Sequence, residues 1–363
     1  MTKNSYLKET IIKPLIIPIF VMNSGCPHRC IFCNQKITAG NYPQAINKEY
    51  FENEVNSYLG WNKDKSRLVE IAFYGGSFTG IDKMYQDNLL SWAQSYIQAG
   101  LVHSIRVSTR PDYINTGILA RLKKYNVTTV EIGAQSFVDD VLQFAQRGHN
   151  AADTVNAVTL LKKGHFQTSL HLMAGLPHDT EDGFVYSLEK TIELKPEMVR
   201  IHPVVVFSGT ALADEFAQGN YQPLQLSEAV NLCALARKKL SAAGIRVIRA
   251  GLQWTKEMET AGAVLAGPLH PAFGSLVLAA IYYDQTMKLL EQIPGETKEI
   301  RFKLHNQDVS SFRGWCSSNM TAIKKLYPQA VIKVIVEQEQ KRGLISVATD
   351  QGYTSTTAIS GIN

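Results

Sequence analysis

Along the chain, short apolar and β-branched runs alternate with longer amphipathic stretches. The runs predict strands at Leu15–Val21, Leu68–Tyr74, Ser104–Ser108, Thr128–Gly133, Gln167–Met173 and Met198–Val206. Between them, apolar positions recur at helical spacing near Lys48–Tyr58, Lys83–Gln98, Thr116–Tyr125, Val138–Phe144, Ala151–Lys163 and Thr180–Leu194. This alternation predicts parallel βαβ units in series. Six units whose strands read as apolar, and so as covered on both faces, predict an α/β chain with a partial (β/α)6 TIM-type barrel. An open doubly wound sheet is the alternative, because the pattern alone does not close a barrel.

Beyond the sixth unit, Gly219–Pro223 reads as a turn, Leu226–Ala243 as a helix and Arg246–Ala250 as a further short strand. An apolar helix, Leu276–Leu290, follows a loop rich in Gly and Pro. Gly295 opens a different texture, with strand-like runs at Glu299–Leu304, Ala330–Val336 and Gly343–Ala348. The expected division is a barrel with its helical extension over residues 1–294 and a small α+β appendix over 295–363.

The composition fits this picture. With 363 residues, 45% hydrophobic and 19% charged, the chain is neither a disordered tail nor a fibre. A balance of 37 Lys+Arg against 32 Asp+Glu permits contact with a polyanion without arguing for one, because the charges are scattered. The apolar run Ile11–Val21 is shorter than the roughly 20 residues of a membrane helix and is broken by Lys13, Pro14 and Pro18. It runs into a cysteine loop with no small-residue cleavage site, so a buried strand in a cytoplasmic protein is expected, with no membrane partner.

Three of the five cysteines crowd into Cys26-x3-Cys30-x2-Cys33, directly after the first strand. Disulfide scaffolds are small and cysteine-dense, so this pattern points to a metal or redox site in a reducing compartment. Cys233 and Cys316 stand alone and read as incidental thiols. The C-terminal ends of barrel strands are where such folds assemble their chemistry. Three thiolates on one short loop can hold three corners of a 4Fe–4S cluster and leave the fourth iron open. The alternative is zinc, with His28 as fourth ligand. It lacks a second Cys/His pair downstream, and Pro27 restricts the loop.

The cysteine spacing, with aromatic Phe32 before the last cysteine, resembles the radical S-adenosylmethionine (SAM) superfamily. The resemblance implies that the amino and carboxylate groups of SAM bind the open iron. It also implies that an electron, from a flavodoxin- or ferredoxin-type donor, cleaves SAM to a 5′-deoxyadenosyl radical that abstracts hydrogen from a substrate. The superfamily receives the methionine amino group on a Gly-Gly motif one unit later, which here falls on Gly75, Gly76 and Ser77. Gly-Gly at a strand end does let backbone approach a ligand closely.

Longer stretches narrow the likeness. Ser108-Thr-Arg-Pro-Asp-Tyr113, Glu131–Phe137, Arg147-Gly-His149, His171–Pro177 and Arg200–Thr210 resemble the radical domain of the Elongator catalytic subunit over about residues 15–275. Oxygen-independent coproporphyrinogen oxidase is a more distant relative. Position by position, the resemblance implies that Gln135 and Arg147 contact the ribose and the methionine carboxylate. An arginine fork matches a carboxylate, and an amide both donates to and accepts from hydroxyls. Ser108 stands where the Elongator motif has a carboxylate, so a ribose contact there departs from the pattern. His171 is expected to line the pocket, and Arg200 and His202 to share a face toward the substrate. Arg110 and Asp112 read as a structural ion pair, and the segments around Arg249 and His270 suit either a fixed loop at the barrel mouth or a packing turn. The roughly 70 residues after Gly295 are too few for Elongator's acetyltransferase domain, so acetyl-coenzyme A chemistry is not expected. Three functions stay open: a radical SAM enzyme modifying RNA, one acting on a small molecule such as a tetrapyrrole, and a non-catalytic metal protein that binds nucleic acid.

Overall fold

The computed structural model describes residues 14–22, 25–27, 29–40, 42–43, 45–64, 66–293, 296–359 and 361. His28 and the expected boundary at 294–295 lie outside them. The strands are β1 (Leu15–Val21), β2 (Val69–Gly75), β3 (Ser104–Thr109), β4 (Val127–Gln135), β5 (Gln167–Ala174), β6 (Met198–Pro203), β7 (Val206–Phe207), β8 (Arg246–Ala250) and β9 (Val264–Ala266). Seven of them form one parallel sheet in the order β1-β2-β3-β4-β5-β6-β8. A doubly wound sheet reverses its order at a switch point; this order never reverses, so the helices lie on one side and the sheet is an open half-barrel.

The six expected units are present, and β8 extends the sheet beyond them. The run expected at Met198–Val206 is interrupted after Pro203; its end, β7, pairs with β9 instead. Asn47, Asp82, Asn115, Asn150 and Thr180 each accept a first-turn backbone N–H, which fixes where five barrel helices begin.

The strands are not apolar on both faces as their runs suggest. Ile17, Ile71, Phe73, Ile105, Val107, Val130, Ile132, Leu170 and Ile201 are buried in the main core. The alternate positions carry Glu70, Arg106, Glu131, His171 and Arg200, which face the concave side of the sheet. Burying that much charge is tolerable only where the groups satisfy one another or face a ligand.

After the helices Leu226–Ala242 and Phe273–Leu290 come β10 (Glu299–Leu304), β11 (Val331–Val336), β12 (Leu344–Thr349) and β13 (Thr354–Ala358), a mixed sheet in the order β11-β10-β12-β13. Its Ile300, Phe302 and Leu304 belong to the same hydrophobic core as the barrel. Among the described residues no helix is long and apolar enough to cross a membrane.

Candidate active site

The loop after β1 is held against the loop after β2. Gly25 has φ +72°, and a Cβ there would lie 2.2 Å from the Ser77 carbonyl oxygen. We therefore expect Gly25→Ala to cost about 1–3 kcal/mol of local strain. Iron bound per chain after reconstitution should fall while the barrel's unfolding midpoint barely moves; full iron loading would contradict this. Further along, the Ile31 N–H donates to the Ala145 carbonyl at 3.3 Å, and Cys33 N–H to the Cys30 carbonyl at 3.0 Å. Asn34 caps the short helix Gln35–Ala39 and donates from Nδ2 to the Ser208 carbonyl at 2.8 Å.

Cys26, Cys30 and Cys33 line one cavity of about 1770 Å³. Cys26 and Cys33 are exposed within it and Cys30 is half-buried, with protein on several sides. Burial pushes the Cys26 thiol up, and pushes Cys33 to about 12 with the neighbouring Cys30 and Cys26 adding to the effect. Thiols so disposed ionise when a metal replaces their protons. One cation is poised for that: Nη1 of Arg147 donates to Cys30 Sγ at 2.9 Å and its Nη2 to the Gly133 carbonyl at 2.7 Å. The Nε of Arg147 is buried without a partner. Among the described residues no three ligating side chains converge as a single ion requires. A 4Fe–4S cluster takes one thiolate per corner and needs no such convergence, so the donor set fits it.

The next wall is backbone. Gly75, at φ +107°, lies so close to β1 that a Cβ would sit 2.8 Å from the Val21 carbonyl oxygen, to which Gly76 N–H donates at 2.9 Å. Gly75 and Gly76 line the cavity. Ser77 is buried; its hydroxyl pairs with that of Thr109 at 2.8 Å and accepts from Arg110 N–H at 3.3 Å, so it faces the cysteine loop with backbone alone. On β4, a Cβ added to Gly133 would lie 3.0 Å from Gln135 Nε2 and 3.3 Å from Arg147 Nη2. Gln135 takes φ +70°, which helps turn its amide over that glycine, and Gln135 and Arg147 thus meet over Gly133. Ser108, His171, Arg200 and His202 line the same cavity.

Sequence reasoning gave Glu131 no role, yet it organises the interior. Its fully buried carboxylate accepts from Arg106 Nη1 at 2.7 Å and Arg200 Nη1 at 2.9 Å, and meets His171 Nε2 at 2.7 Å and the Tyr74 hydroxyl at 3.3 Å. Arg106 also reaches Glu70 at 2.7 Å. Burial alone would raise the Glu131 pKa, but Arg200, His171 and Arg106 hold it well below the usual range. His171 is held neutral by burial against the pull of Glu131. The signal in the sequence is a charged residue at one parity in each of four strands. Arg110 and Asp112 do form a two-pronged ion pair at 3.0 Å. His270 accepts from Ala272 N–H at 3.0 Å and packs its ring edge-on against Trp315, 4.9 Å away. Arg249, in a segment the sequence left open between a barrel-mouth loop and a packing turn, lines the cavity. Cys233 is buried in the helix Leu226–Ala242, and Cys316 is exposed in the C-terminal part.

A model of the radical SAM superfamily matches residues 20–191, and a radical SAM C-terminal domain model matches 196–283. The chain belongs to the radical SAM superfamily. It is therefore an enzyme of the class that uses a 4Fe–4S cluster and SAM. Among curated relatives, the tRNA uridine(34) acetyltransferase of Methanocaldococcus jannaschii is 27% identical over 269 residues, 63% of this chain and 49% of that protein. Elongator complex protein 3 of Homo sapiens is 28% identical over 196 residues, 48% of this chain and 35% of its own length. This radical SAM chain thus spans about half or less of these two curated relatives. The solved archaeal Methanocaldococcus infernus Elp3 with an N-terminal deletion superposes with a TM-score of 0.57 at 19% identity, covering 79% of this chain and 66% of that one. That likeness shows the shared fold.

Proposed function

We propose that this radical SAM enzyme cleaves SAM reductively and directs the resulting 5′-deoxyadenosyl radical to abstract hydrogen from RNA. The observation that carries the cofactor part is the convergence of Arg147 and Gln135 over Gly133, beside three thiols in one cavity. In this reading Cys26, Cys30 and Cys33 would hold a 4Fe–4S cluster, which would supply the electron for reductive cleavage of SAM at its C5′–S bond. Backbone at Gly75, Gly76 and Ser77 receives the methionine amino group. The buried Arg147, fixed by Gly133 and Cys30, receives the carboxylate. Gln135 and Ser108 face the ribose, and His171, locked by Glu131, walls the pocket as a neutral ring. A flavodoxin- or ferredoxin-type donor and a cytoplasmic setting accompany this chemistry.

Two features support RNA as the substrate. Curated relatives that share this part of the chain are named for tRNA uridine(34). The cavity rim also combines exposed Arg29, Lys36 and Lys256 with exposed Trp254, cations and a stacking surface that suit a nucleotide strand.

Each part has its own test. Arg147→Ala should keep the cluster and weaken SAM binding at least about tenfold, the effect of losing a charged hydrogen bond. Unchanged affinity by calorimetry would remove Arg147 from the pocket. Binding of bulk tRNA, followed by anisotropy, should fall steeply with salt as phosphate contacts are screened. No binding at low salt would argue against RNA while leaving the SAM chemistry untouched.

A further inference from the structure

The sheet register sets two arginines side by side. Arg200 on β6 and Arg249 on β8 are direct partners, and His171 on β5 is the partner of Arg200 on its other side. The three side chains cross the β5–β6–β8 side of the cavity in one row, with His202 two residues further along β6. Like charges directly opposite on adjacent strands are destabilising.

The surroundings do not neutralise the pair. Glu131 is shared between Arg200 and Arg106, and Glu70 is spent on Arg106. Two carboxylates therefore face three guanidiniums. The histidines add no negative charge; burial holds both His171 and His202 neutral. Among the described residues Arg249 makes no ion pair: Glu131 acts on it only at a distance, and its Nη1 donates to the neutral side-chain carbonyl of Gln253. Burial and the neighbouring Arg200 both depress Arg249 from its ordinary value. Nε of Arg200 is buried with no partner. The face of Arg200 is fixed by the Tyr74 ring 5.3 Å away, so its fork is held in place before anything binds. Arg147 is a separate group, held in place by Cys30 and Gly133.

We propose that Arg200 and Arg249 form a subsite for an anionic group of the substrate, a phosphate or a carboxylate, which neutralises the paired guanidiniums and so anchors the substrate in the cavity. The inference rests on the radical reading in giving the Arg147 side of the cavity to SAM.

The test is made on the full chain with inorganic phosphate and with acetate, each by calorimetry and by thermal melting, and with SAM on the reconstituted protein. The anions should bind and raise the melting temperature. Arg249→Gln, which breaks no ion pair, should weaken them at least about tenfold, and Arg249→Lys should restore part of the loss. Tighter phosphate than acetate assigns a phosphoryl handle, and the reverse a carboxylate. The affinity for SAM should stay within about twofold in Arg249→Gln. Equal anion binding in wild type and Arg249→Gln would overturn the subsite. Loss of SAM binding in that variant would also overturn it, moving the pair to the methionine carboxylate and leaving the radical reading intact. Conversely, failure of SAM cleavage would not touch the anion titration, which needs no cluster.

Discussion

Cys30→Ala should leave a folded protein that shows no cluster absorption in the visible after anaerobic reconstitution and no SAM cleavage. Cys30 is the thiol nearest the cavity's buried cation, with its Sγ 2.9 Å from Arg147 Nη1. Without it two thiols remain on the loop, and no other cysteine can take its place. Cys233 is fully buried in the core, and Cys316 is an exposed residue of the C-terminal part. The loop's own anchors, Ile31 against Ala145 and Asn34 against Ser208, do not involve the thiol, so the fold should survive. A full cluster in the variant would remove Cys30 from the ligand set.

The second large effect concerns stability. Glu131→Gln should destabilise the protein by about 3–5 kcal/mol, because it leaves the Arg106 and Arg200 guanidiniums buried with one carboxylate fewer. The urea midpoint should fall at unchanged slope. The pH dependence has a definite sign. The folded-state pKa of Glu131 lies well below that of the unfolded chain. Its contribution is therefore fully present above the ordinary glutamate value of about 4.3 and is lost as pH falls through the lower folded value. Wild type should lose its advantage over Glu131→Gln only in that acid window. A difference under about 1 kcal/mol at neutral pH would show that the network is not what holds the barrel interior together.

The barrel was legible because its elements are local. Strong β-branched runs with capped helices between them place β1 to β6 to within a residue or two at most ends. What was missed depends on contacts distant in sequence. Strand β13, Thr354–Ala358, has no apolar alternation and exists because it pairs with β12. The charged concave face was hidden by the apolar residues that alternate with it. The site divides in the same way. The cysteine triplet and Gly75-Gly76 are contiguous motifs, so spacing alone reveals them. The role of Glu131 arises only when the register brings Arg106 and Arg200 to it from other strands. The role of Arg249 depends on a register shift between Val199 and Arg200 that no sequence pattern records. Ser77 lies in a legible motif, yet its hydroxyl is consumed by Thr109, a pairing that only the packing of two loops creates.

The most direct test of the account is release of 5′-deoxyadenosine by the anaerobically reconstituted, chemically reduced enzyme, with and without bulk tRNA. The account predicts release that depends on Cys26, Cys30 and Cys33 and rises with tRNA. No release from a protein carrying an intact cluster, with or without tRNA, would contradict it.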